Sequence, residues 1–534
     1  MAPVLLIGLD GATFTILDPY VERGIMPFVG ELYERGARAD LRSVMPPLTP
    51  PAWTSLMTGK RPGQHGVFDF FQKEEPGSRY FAFASSQDVK SATIWSLTSE
   101  RGRRIIALNF PLMFPPPPVD GGIVPGGMMP WRQLRLGCHP PGLFDRLSAL
   151  PSFEPREMLD MELEIKAIDG CPDDEYPDWV ERHVRRERRW FDVLRHLMRE
   201  EPADLVGVLF DGVDKLQHLC WRFIDPACRP TQPTPWEREM IERCEGYFRA
   251  LDAMIAELVT LAGPDATVVL ASDHGFGPTR DVFHVNSWLE REGYLAWAEG
   301  ESSADGRAAT EVGFGEMTRH LHALDWTRTL AYAATPSSQG INIVDRVPGG
   351  EEPLPTGMRR TITARLSQAL RELRRPDGRP VVSEVWTRED AFAGPFQELG
   401  PDLSLVLADG GTISILPSDI LVAEREQVHG HHRWEGIFLA SGPGIAAGIR
   451  GDELSIVDVA PLLLHRLDLP VPDDMAGRVP VEILEADELE RRPPRRVAAR
   501  APGASPPSEA ADLELDPDEQ ASVVRRLRAL GYVE

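Results

Sequence analysis

The sequence of 534 residues is short of cysteine, of long apolar runs and of positive charge. Its five cysteines form no CxxC pair, which argues against a disulfide framework and against a thiolate zinc site. No run approaches the roughly 18 apolar residues that span a bilayer. Lys and Arg number 57 against 82 Asp and Glu, and this net charge of −25 argues against a broad basic surface for nucleic-acid polymers. Because the N-terminal segment also lacks the basic n-region of a signal peptide, we expect a cytoplasmic protein.

Short apolar runs separated by helix-length segments predict the buried strands of a mostly parallel sheet in an α/β protein. The runs are Val4–Leu9, Ile105–Asn109, Leu205–Phe210, Thr267–Ala271, Leu403–Leu407 and Ile437–Ala440. Three of them lead into polar residues, namely Asp10, Asp211 and the pair Asp273 and His274. Ligands of such sheets bind at the carboxyl ends of the strands, so this pattern favours a site there over strand ends that simply meet solvent.

The rest of the chain suggests one large unit with additions. An amphipathic helix is predicted over Asp174–Glu201, with its basic residues on a solvated face. Residues from about 300 to 395 could form an inserted subdomain with a helix at Gly357–Arg375. Residues 485–512 have the composition of a flexible linker, and 513–534 that of a C-terminal helix. The catalytic domain is accordingly expected at 1–484.

Common cofactor motifs are missing. The sequence has no GxxxxGK[ST] loop, GxGxxG fingerprint or HExxH helix, so nucleotide-triphosphate switches, dinucleotide enzymes and zincins lose support. What remains is a scattered set of acids and histidines. Asp214 and His218 are spaced i,i+4, which suits a divalent metal if the segment is helical, although a surface ion pair has the same spacing.

Two further segments carry candidate metal ligands. Asp273 and His274 follow a buried strand directly, and glycines after them free the backbone to turn. His431 and His432 lie in a glycine-flanked loop before a strand, where a histidine is often just exposed to solvent. Whether these two histidines are metal ligands therefore depends on the evidence from the other segments.

Thr49 precedes Pro50 and Pro51, which preset the backbone for the first turn of a helix. One interpretation is capping, in which the Thr49 hydroxyl accepts the Ala52 amide. The other is a nucleophile at a helix N-terminus that faces an anionic substrate.

The order of these segments resembles the alkaline phosphatase superfamily, and within it the type I phosphodiesterase/nucleotide pyrophosphatase family. The motifs are GLDG, LTPPAW, DKLQH, SDHGFG and GHHRWEGIF, with TGKRPGQHGVFDF, NSWLEREGYL and SIVDVAPLLLHRLDLPVPDDMAGR between or after them. The resemblance extends over residues 1 to about 480. It implies an α/β/α sandwich with a mostly parallel central sheet and inserted subdomains.

The resemblance also implies two divalent metal ions, zinc first and manganese, iron or magnesium as alternatives. One would be held by Asp214, His218 and His432. The other would be held by Asp10, Asp273 and His274, with the Thr49 oxygen as a further ligand. Asp211 competes with Asp214, and His429 and His431 compete with His432; the spacing within the family motifs favours Asp214 and His432.

The implied function is hydrolysis of phosphodiesters or related small phosphoesters. Thr49 would attack phosphorus, and water would hydrolyse the resulting phosphothreonine. A phosphomonoesterase or phosphomutase on the same fold is the main alternative, and a non-catalytic binding protein is another. A sulfatase loses support because its C/S-x-P-x-R motif is missing. Members that cleave nucleotides carry an Asn where this sequence has Phe70, so neither the natural substrate nor the oligomeric state is predicted.

Overall fold

The computed structural model describes residues 2–73, 78, 81–127, 129–159, 173–298, 321 and 323–499. Its helices within these ranges are α1 Phe14–Glu22, α2 Pro27–Arg35, α3 Thr49–Thr58, α4 Pro62–His65, α5 Ile94–Ser99, α6 Leu134–Gly137, α7 Leu143–Leu147, α8 Pro155–Leu159, α9 Tyr176–Glu200, α10 Gly212–Ile224, α11 Pro235–Ala262, α12 Val285–Arg291, α13 Thr356–Glu372, α14 Arg388–Ala391, α15 Val459–Arg466 and α16 Ala486–Arg491. The expected C-terminal helix at 513–534 lies outside the described residues.

The strands are β1 Val4–Leu9, β2 Gly36–Arg42, β3 Phe71–Lys73, β4 Phe81–Phe83, β5 Ile105–Leu108, β6 Gly121–Val124, β7 Leu205–Phe210, β8 Thr267–Ala271, β9 Gly275–His284, β10 Ala331–Tyr332, β11 Gly340–Ile343, β12 Val382–Thr387, β13 Leu403–Leu407, β14 Thr412–Ser414, β15 Val422–Arg433, β16 Glu435–Ser441, β17 Ile449–Arg450, β18 Leu454–Ser455, β19 Val471–Pro472 and β20 Arg496–Val497.

A large central sheet has the order β17-β2-β16-β8-β1-β7-β5-β6, with β18 beside β2. Strands β8, β1, β7, β5 and β6 run parallel, whereas β16 is antiparallel to both of its neighbours. Alternate residues of β1 enter two different cores, Leu5 and Ile7 on one face and Val4 and Leu6 on the other. Helices cover both faces, which confirms the predicted α/β/α sandwich with a mostly parallel sheet.

The two cores are built from different helices. Helices α1, α2, α9, α10 and α11 pack on one face of the central sheet, and α3, α5 and α15 pack on the other. The predicted apolar face of α9 is buried as expected, including Trp179, Trp190 and Leu194. Within the described residues, no helix is both long and apolar enough to cross a membrane.

A second, smaller unit has its own core around the sheet β10-β11-β13-β12, with α12 and α13 packed on it. The predicted helix at Gly357–Arg375 is present as α13. The strand predicted at Leu403–Leu407 is also present, but it belongs to this unit and pairs antiparallel with both neighbours, so its assignment to the main sheet was wrong. Its composition is that of any buried strand, and only pairing with distant residues decides which sheet it joins.

Strands β9 and β15 form an antiparallel pair, here called the β9–β15 ribbon, which connects the two units. At one end Gly275 pairs with Arg433 beside the central sheet. At the other end Phe283 pairs with Val422, and both contribute to the core of the smaller unit.

The first part of the expected linker at 485–512 is ordered. Residues 486–491 form α16, and β20 pairs with β19. Glu488 of α16 forms a buried ion pair with Arg466 of α15, N–O distance 2.6 Å. The linker prediction is therefore wrong for residues 486–497. Their proline and arginine content is typical of linkers, but the buried ion pair holds the segment against the fold. Residues 500–512 lie outside the described residues.

Candidate metal centre

The predicted ligands lie at one edge of the central sheet. Asp10 directly follows β1, Asp273 and His274 follow β8, and the helix α10 that begins after β7 carries Asp214. Since β7, β1 and β8 are adjacent parallel strands, their carboxyl ends bring these side chains together, as the sequence predicts.

Asp10, Asp273 and His274 form the first donor group. Their ligand atoms lie within 4.8 Å of one another, and His274 Nε2 is 3.1 Å from Asp273 Oδ2 and 3.7 Å from Asp10 Oδ1. All three residues are buried, and these three atoms have no hydrogen-bond partner among the described residues. Buried polar atoms are nearly always paired in proteins, so three unpaired donors and acceptors that face one point fit a bound cation.

Asp214, His218 and His432 form the second donor group. Asp214 Oδ1 is 3.5 Å from His218 Nε2 and 3.2 Å from His432 Nε2, and the two imidazole nitrogens are 3.2 Å apart. The His432 ring stacks on His274 with centroids 3.6 Å apart, and His274 lies within reach of Asp214 as well. The two groups therefore form one continuous cluster of three carboxylates and three imidazoles, which are ligand types that bind divalent metals.

Backbone and side-chain hydrogen bonds orient the donor groups. The Gly11 amide donates to Asp273 Oδ1 at 3.1 Å, and Trp53 Nε1 donates to Asp10 Oδ2 at 3.2 Å. His432 Nδ1 lies 2.9 Å from the Pro47 carbonyl, which directs Nε2 of this ring toward Asp214. Such contacts fix the tautomer and the direction of a metal ligand.

The electrostatics of the cluster favour the binding of a cation. Burial raises the pKa of Asp10 well above its usual value, and the neighbouring Asp273 and Asp214 carboxylates add to the shift. Burial likewise raises the pKa of Asp273. Burial lowers the pKa of His274 and His432, which keeps these rings neutral and able to bind a metal. Three carboxylates crowded into a buried site are stabilised by divalent cations.

Thr49 is the first residue of α3, and Trp53, one turn later, bonds to Asp10. The side chain of Thr49 is half-buried. The alternative in which its hydroxyl caps the helix is wrong, because the N-cap residue is Leu48 and the Ala52 amide donates to the Leu48 carbonyl. The helix N-terminus therefore does not need the Thr49 hydroxyl for this bond.

Asp211, the competitor of Asp214, belongs to a separate charged cluster. Arg186 Nη2 and Lys215 Nζ both donate to Asp211 Oδ2 at 2.8 Å, so two cations already neutralise this carboxylate. Neither donor group contains it. Arg186 also corrects the prediction of a wholly solvated basic face on α9, since its side chain is buried.

The competing histidines fall outside the two donor groups. His431 stacks on His432, but its Nε2 faces Gln339 Nε2 at 3.1 Å. His429 pairs with Thr279 across the β9–β15 ribbon. It lies three residues before His432 in β15 and so farther from the central sheet. The structure thus brings His432, the residue favoured by the sequence motif, to Asp214.

Sequence reasoning missed the support for the helix that carries Asp214 and His218. Glu187 Oε1 accepts the Gly212 amide at 2.6 Å, at the first residue of α10, and accepts the Tyr247 hydroxyl at 3.0 Å. The available signal was periodicity: Glu187 lies four residues after His183 and three before Trp190, within the buried stripe of α9. A carboxylate at a core position of a helix needs a buried partner.

Phe70, at the position of the family's Asn, is buried and offers no side-chain hydrogen bond to a substrate. Asp69 beside it accepts hydrogen bonds from Thr335 Oγ1 at 2.5 Å and Ser337 Oγ at 2.6 Å, both in the smaller unit. This position therefore joins the two units.

Comparison with known proteins agrees with the geometry. The model of the type I phosphodiesterase/nucleotide pyrophosphatase family matches residues 4–433. The chain belongs to this family. It is therefore a phosphoester hydrolase, and the family implies divalent metal ions. No protein with a curated description matches the chain.

Solved structures with the same fold include phosphonoacetate hydrolase from Sinorhizobium meliloti 1021 in complex with phosphonoformate. It is 18% identical, with a TM-score of 0.50 over 86% of this chain and 94% of that chain. Human ectonucleotide pyrophosphatase/phosphodiesterase 5 is 15% identical, with a TM-score of 0.52 over 91% of this chain and 100% of that chain. The murine protein is 14% identical, with a TM-score of 0.51 and coverages of 90% and 100%. At these identities the likeness establishes the alkaline-phosphatase-like fold.

Proposed function

We propose that the chain hydrolyses phosphodiesters or closely related small phosphoesters, with Thr49 as nucleophile and two divalent cations, zinc foremost, at the candidate metal centre. Asp10, Asp273 and His274 would hold one ion, with Thr49 beside them, and Asp214, His218 and His432 would hold the other. The observation that supports this proposal most directly is the set of three buried ligand atoms, Asp10 Oδ1, Asp273 Oδ2 and His274 Nε2, which lack hydrogen bonds and lie close together.

The ions, when bound, neutralise phosphoryl oxygens and lower the pKa of nearby hydroxyl groups. The chain's own residues supply the nucleophile. The Thr49 hydroxyl loses its proton to solvent as its oxygen forms a bond to phosphorus. The bond from phosphorus to the leaving alkoxide breaks, and the departing oxygen takes up a proton from solvent. Water then attacks the phosphothreonine, which restores the Thr49 hydroxyl and releases phosphate or a phosphomonoester. Thr49 stands at the N-terminus of α3, where the helix dipole favours negative charge.

The test compares the wild-type enzyme with Thr49→Ala on nitrophenyl esters of a phosphodiester, a phosphomonoester, a phosphonate and a sulfate. We expect the diester to be the best substrate and Thr49→Ala to lower kcat at least about 10³-fold. Thr361→Ala, an exposed threonine of α13, is the matched control and should retain the wild-type rate. Metal analysis should give two divalent ions per chain.

Each alternative predicts a different result. Turnover of the monoester alone would favour a phosphomonoesterase or phosphomutase. A wild-type rate in Thr49→Ala would exclude Thr49 as nucleophile. Less than one divalent ion per chain, with no hydrolysis of any ester, would favour a non-catalytic binding protein.

A further inference from the structure

Arg433 directly follows His432 at the root of the β9–β15 ribbon, and its side chain is half-buried. Its guanidinium folds back over its own strand. Nη1 donates to the backbone carbonyl oxygens of His432 at 2.9 Å and of His431 at 3.2 Å. One side chain thus holds the backbone of the two residues before it, and one of these is a proposed metal ligand.

The same guanidinium also bonds to two other segments of the chain. Nη1 donates to the Gly410 carbonyl at 3.3 Å and Nη2 to the Asp409 carbonyl at 3.1 Å, in the turn between β13 and β14. Nη2 further donates to the Pro278 carbonyl of β9. Arg433 therefore joins the strand that carries His432 to its ribbon partner and to the turn that follows β13 of the smaller unit.

Two glycines leave the space that the guanidinium occupies. A Cβ at Gly277 would lie 2.8 Å from Nε of Arg433, and a Cβ at Gly410 would lie 1.8 Å from Nη1. Both distances are shorter than van der Waals contact, so a side chain at either position would displace the guanidinium. The arrangement is a closely packed cross-link between backbone segments.

The acceptors indicate what Arg433 does. The four N–H groups of Nη1 and Nη2 face five carbonyl oxygens, which leaves little donor capacity for a substrate. These carbonyls are neutral and do not cancel the positive charge. A positive charge near the centre opposes the binding of further cations, whereas a fixed backbone at His432 favours it. Because the two effects have opposite signs, metal affinity distinguishes them.

We propose that Arg433 is a positioning residue for the candidate metal centre, whose cross-link fixes the backbone of His432 so that the ring is directed at Asp214 before metal binds. The Pro47 carbonyl, 2.9 Å from His432 Nδ1, orients the ring, and Arg433 fixes the strand that carries it. This inference rests on the proposed function and concerns the ion assigned to Asp214, His218 and His432. Arg433 itself belongs to neither donor group.

The experiment titrates metal-free wild type and Arg433→Met with zinc in a calorimeter. Methionine keeps an unbranched apolar stem but has no donors. We expect one of the two ions to bind at least about tenfold more weakly, and the other to stay within about twofold. Arg280→Met is the matched control and should change neither ion, because Arg280 is an exposed arginine farther along the same ribbon that donates to the Glu426 carbonyl at 2.9 Å.

A double variant shows whether Arg433 acts through His432. In a His432→Ala background there is no ring to position, so Arg433→Met should change zinc affinity by less than about twofold. A role in stability alone would not distinguish the two backgrounds.

Two further variants separate the cross-link from the charge. Arg433→Lys keeps the charge but lacks the forked set of donors, so it should bind the affected ion as weakly as Arg433→Met does. Gly277→Ala retains Arg433 and displaces its guanidinium, and it should weaken the same ion. Urea unfolding of each metal-free protein shows which variants fold, and Gly277→Ala provides the test if Arg433→Met does not.

The outcomes separate the positioning role from the reaction. Unchanged or tighter zinc binding in Arg433→Met, wild-type affinity in Arg433→Lys, or an undiminished effect in the His432→Ala background would each overturn the role of Arg433 while the hydrolase proposal stands. A wild-type protein that binds less than one ion per chain and hydrolyses no ester would overturn both.

Discussion

Among single residues, Gly11 sets how closely the two donor groups approach. It has a φ of +66°, and a Cβ there would lie 2.6 Å from the Phe276 ring and 3.3 Å from Asp214 Oδ1. Its amide donates to Asp273, and its carbonyl accepts from Gln217 Nε2 at 2.8 Å. Only glycine gives both the left-handed backbone and the space that Asp214 and Phe276 occupy.

We therefore expect Gly11→Ala to destabilise the protein and to weaken metal binding. The left-handed backbone costs about 1–2 kcal/mol for alanine, and displacement of Phe276 adds about 1–3 kcal/mol. Gly24→Ala is the matched control, because Gly24 has a φ of +68° with nothing within 4 Å of a Cβ. Urea unfolding and metal titration of both variants measure the difference. Equal losses in the two variants would show that space around Gly11 is not limiting.

Among secondary-structure elements, α10 is held at its first turn by two neighbouring helices. Glu187 of α9 accepts the Gly212 amide, and Tyr247 of α11 donates to the same carboxyl oxygen. Burial raises the pKa of Glu187 to about 8, and the nearby Asp211 carboxylate adds to the rise. At neutral pH the protonated form of Glu187 is thus the favoured one.

A pH dependence follows from this pKa. The folded chain binds a proton at Glu187 that the unfolded chain releases near pH 4.5, so this stabilisation is complete below pH 4.5 and is lost as the pH rises through about 8. Glu187→Gln cannot ionise, and we expect the fall in unfolding free energy between pH 5.5 and 8.5 to shrink by about 3 kcal/mol. Urea unfolding at both pH values tests this. The same slope in wild type and variant would contradict it.

Elements also show what local sequence can predict. The boundaries of β1, β7 and β8 match their apolar runs, because a strand that is buried on both faces is a nearly continuous run of apolar residues. The ligand set comes together because these strands are neighbours. By contrast, the sheet that Leu403–Leu407 joins and the partner of Glu187 depend on residues far away in the chain, and no local pattern encodes them.

At the scale of the whole molecule, the segment that follows α15 completes the fold. Arg466 and Glu488 pair at 2.6 Å with side chains that are almost fully buried. Removal of one partner leaves the other charge buried and unpaired. The ordered chain therefore extends beyond the expected catalytic boundary at residue 484.

We expect Glu488→Ala to lower the free energy of unfolding by about 3 kcal/mol or more. Glu482→Ala removes an acid whose ion pair with Arg478 is exposed, and this control should cost less than about 1 kcal/mol. Chemical denaturation of both variants provides the values. A small effect at Glu488 would mean that α16 is not needed for the stability of the fold.

Removal of the metal ions should affect the whole molecule as well. Without cations, the buried carboxylates of Asp10, Asp214 and Asp273 repel one another. A ligand at a thousand times its Kd stabilises by about 4 kcal/mol, so we expect chelation to lower Tm by about 5 °C or more. Calorimetry before and after chelation, with zinc added back, measures the change. Asp273→Asn, which lacks one proposed ligand, is the control, and its Tm should fall less on chelation. Identical Tm values for chelated and loaded wild type would contradict the proposed centre.

The β9–β15 ribbon has one more consequence. His274 directly precedes the ribbon and His432 lies at its root beside the central sheet, whereas the tip of the ribbon is part of the smaller unit's core. A movement of the smaller unit relative to the central sheet therefore acts on a ribbon whose root adjoins a ligand of each donor group. If a molecule bound between the two units changes the affinity of the centre for metal ions, the ions must change the affinity for that molecule by the same factor.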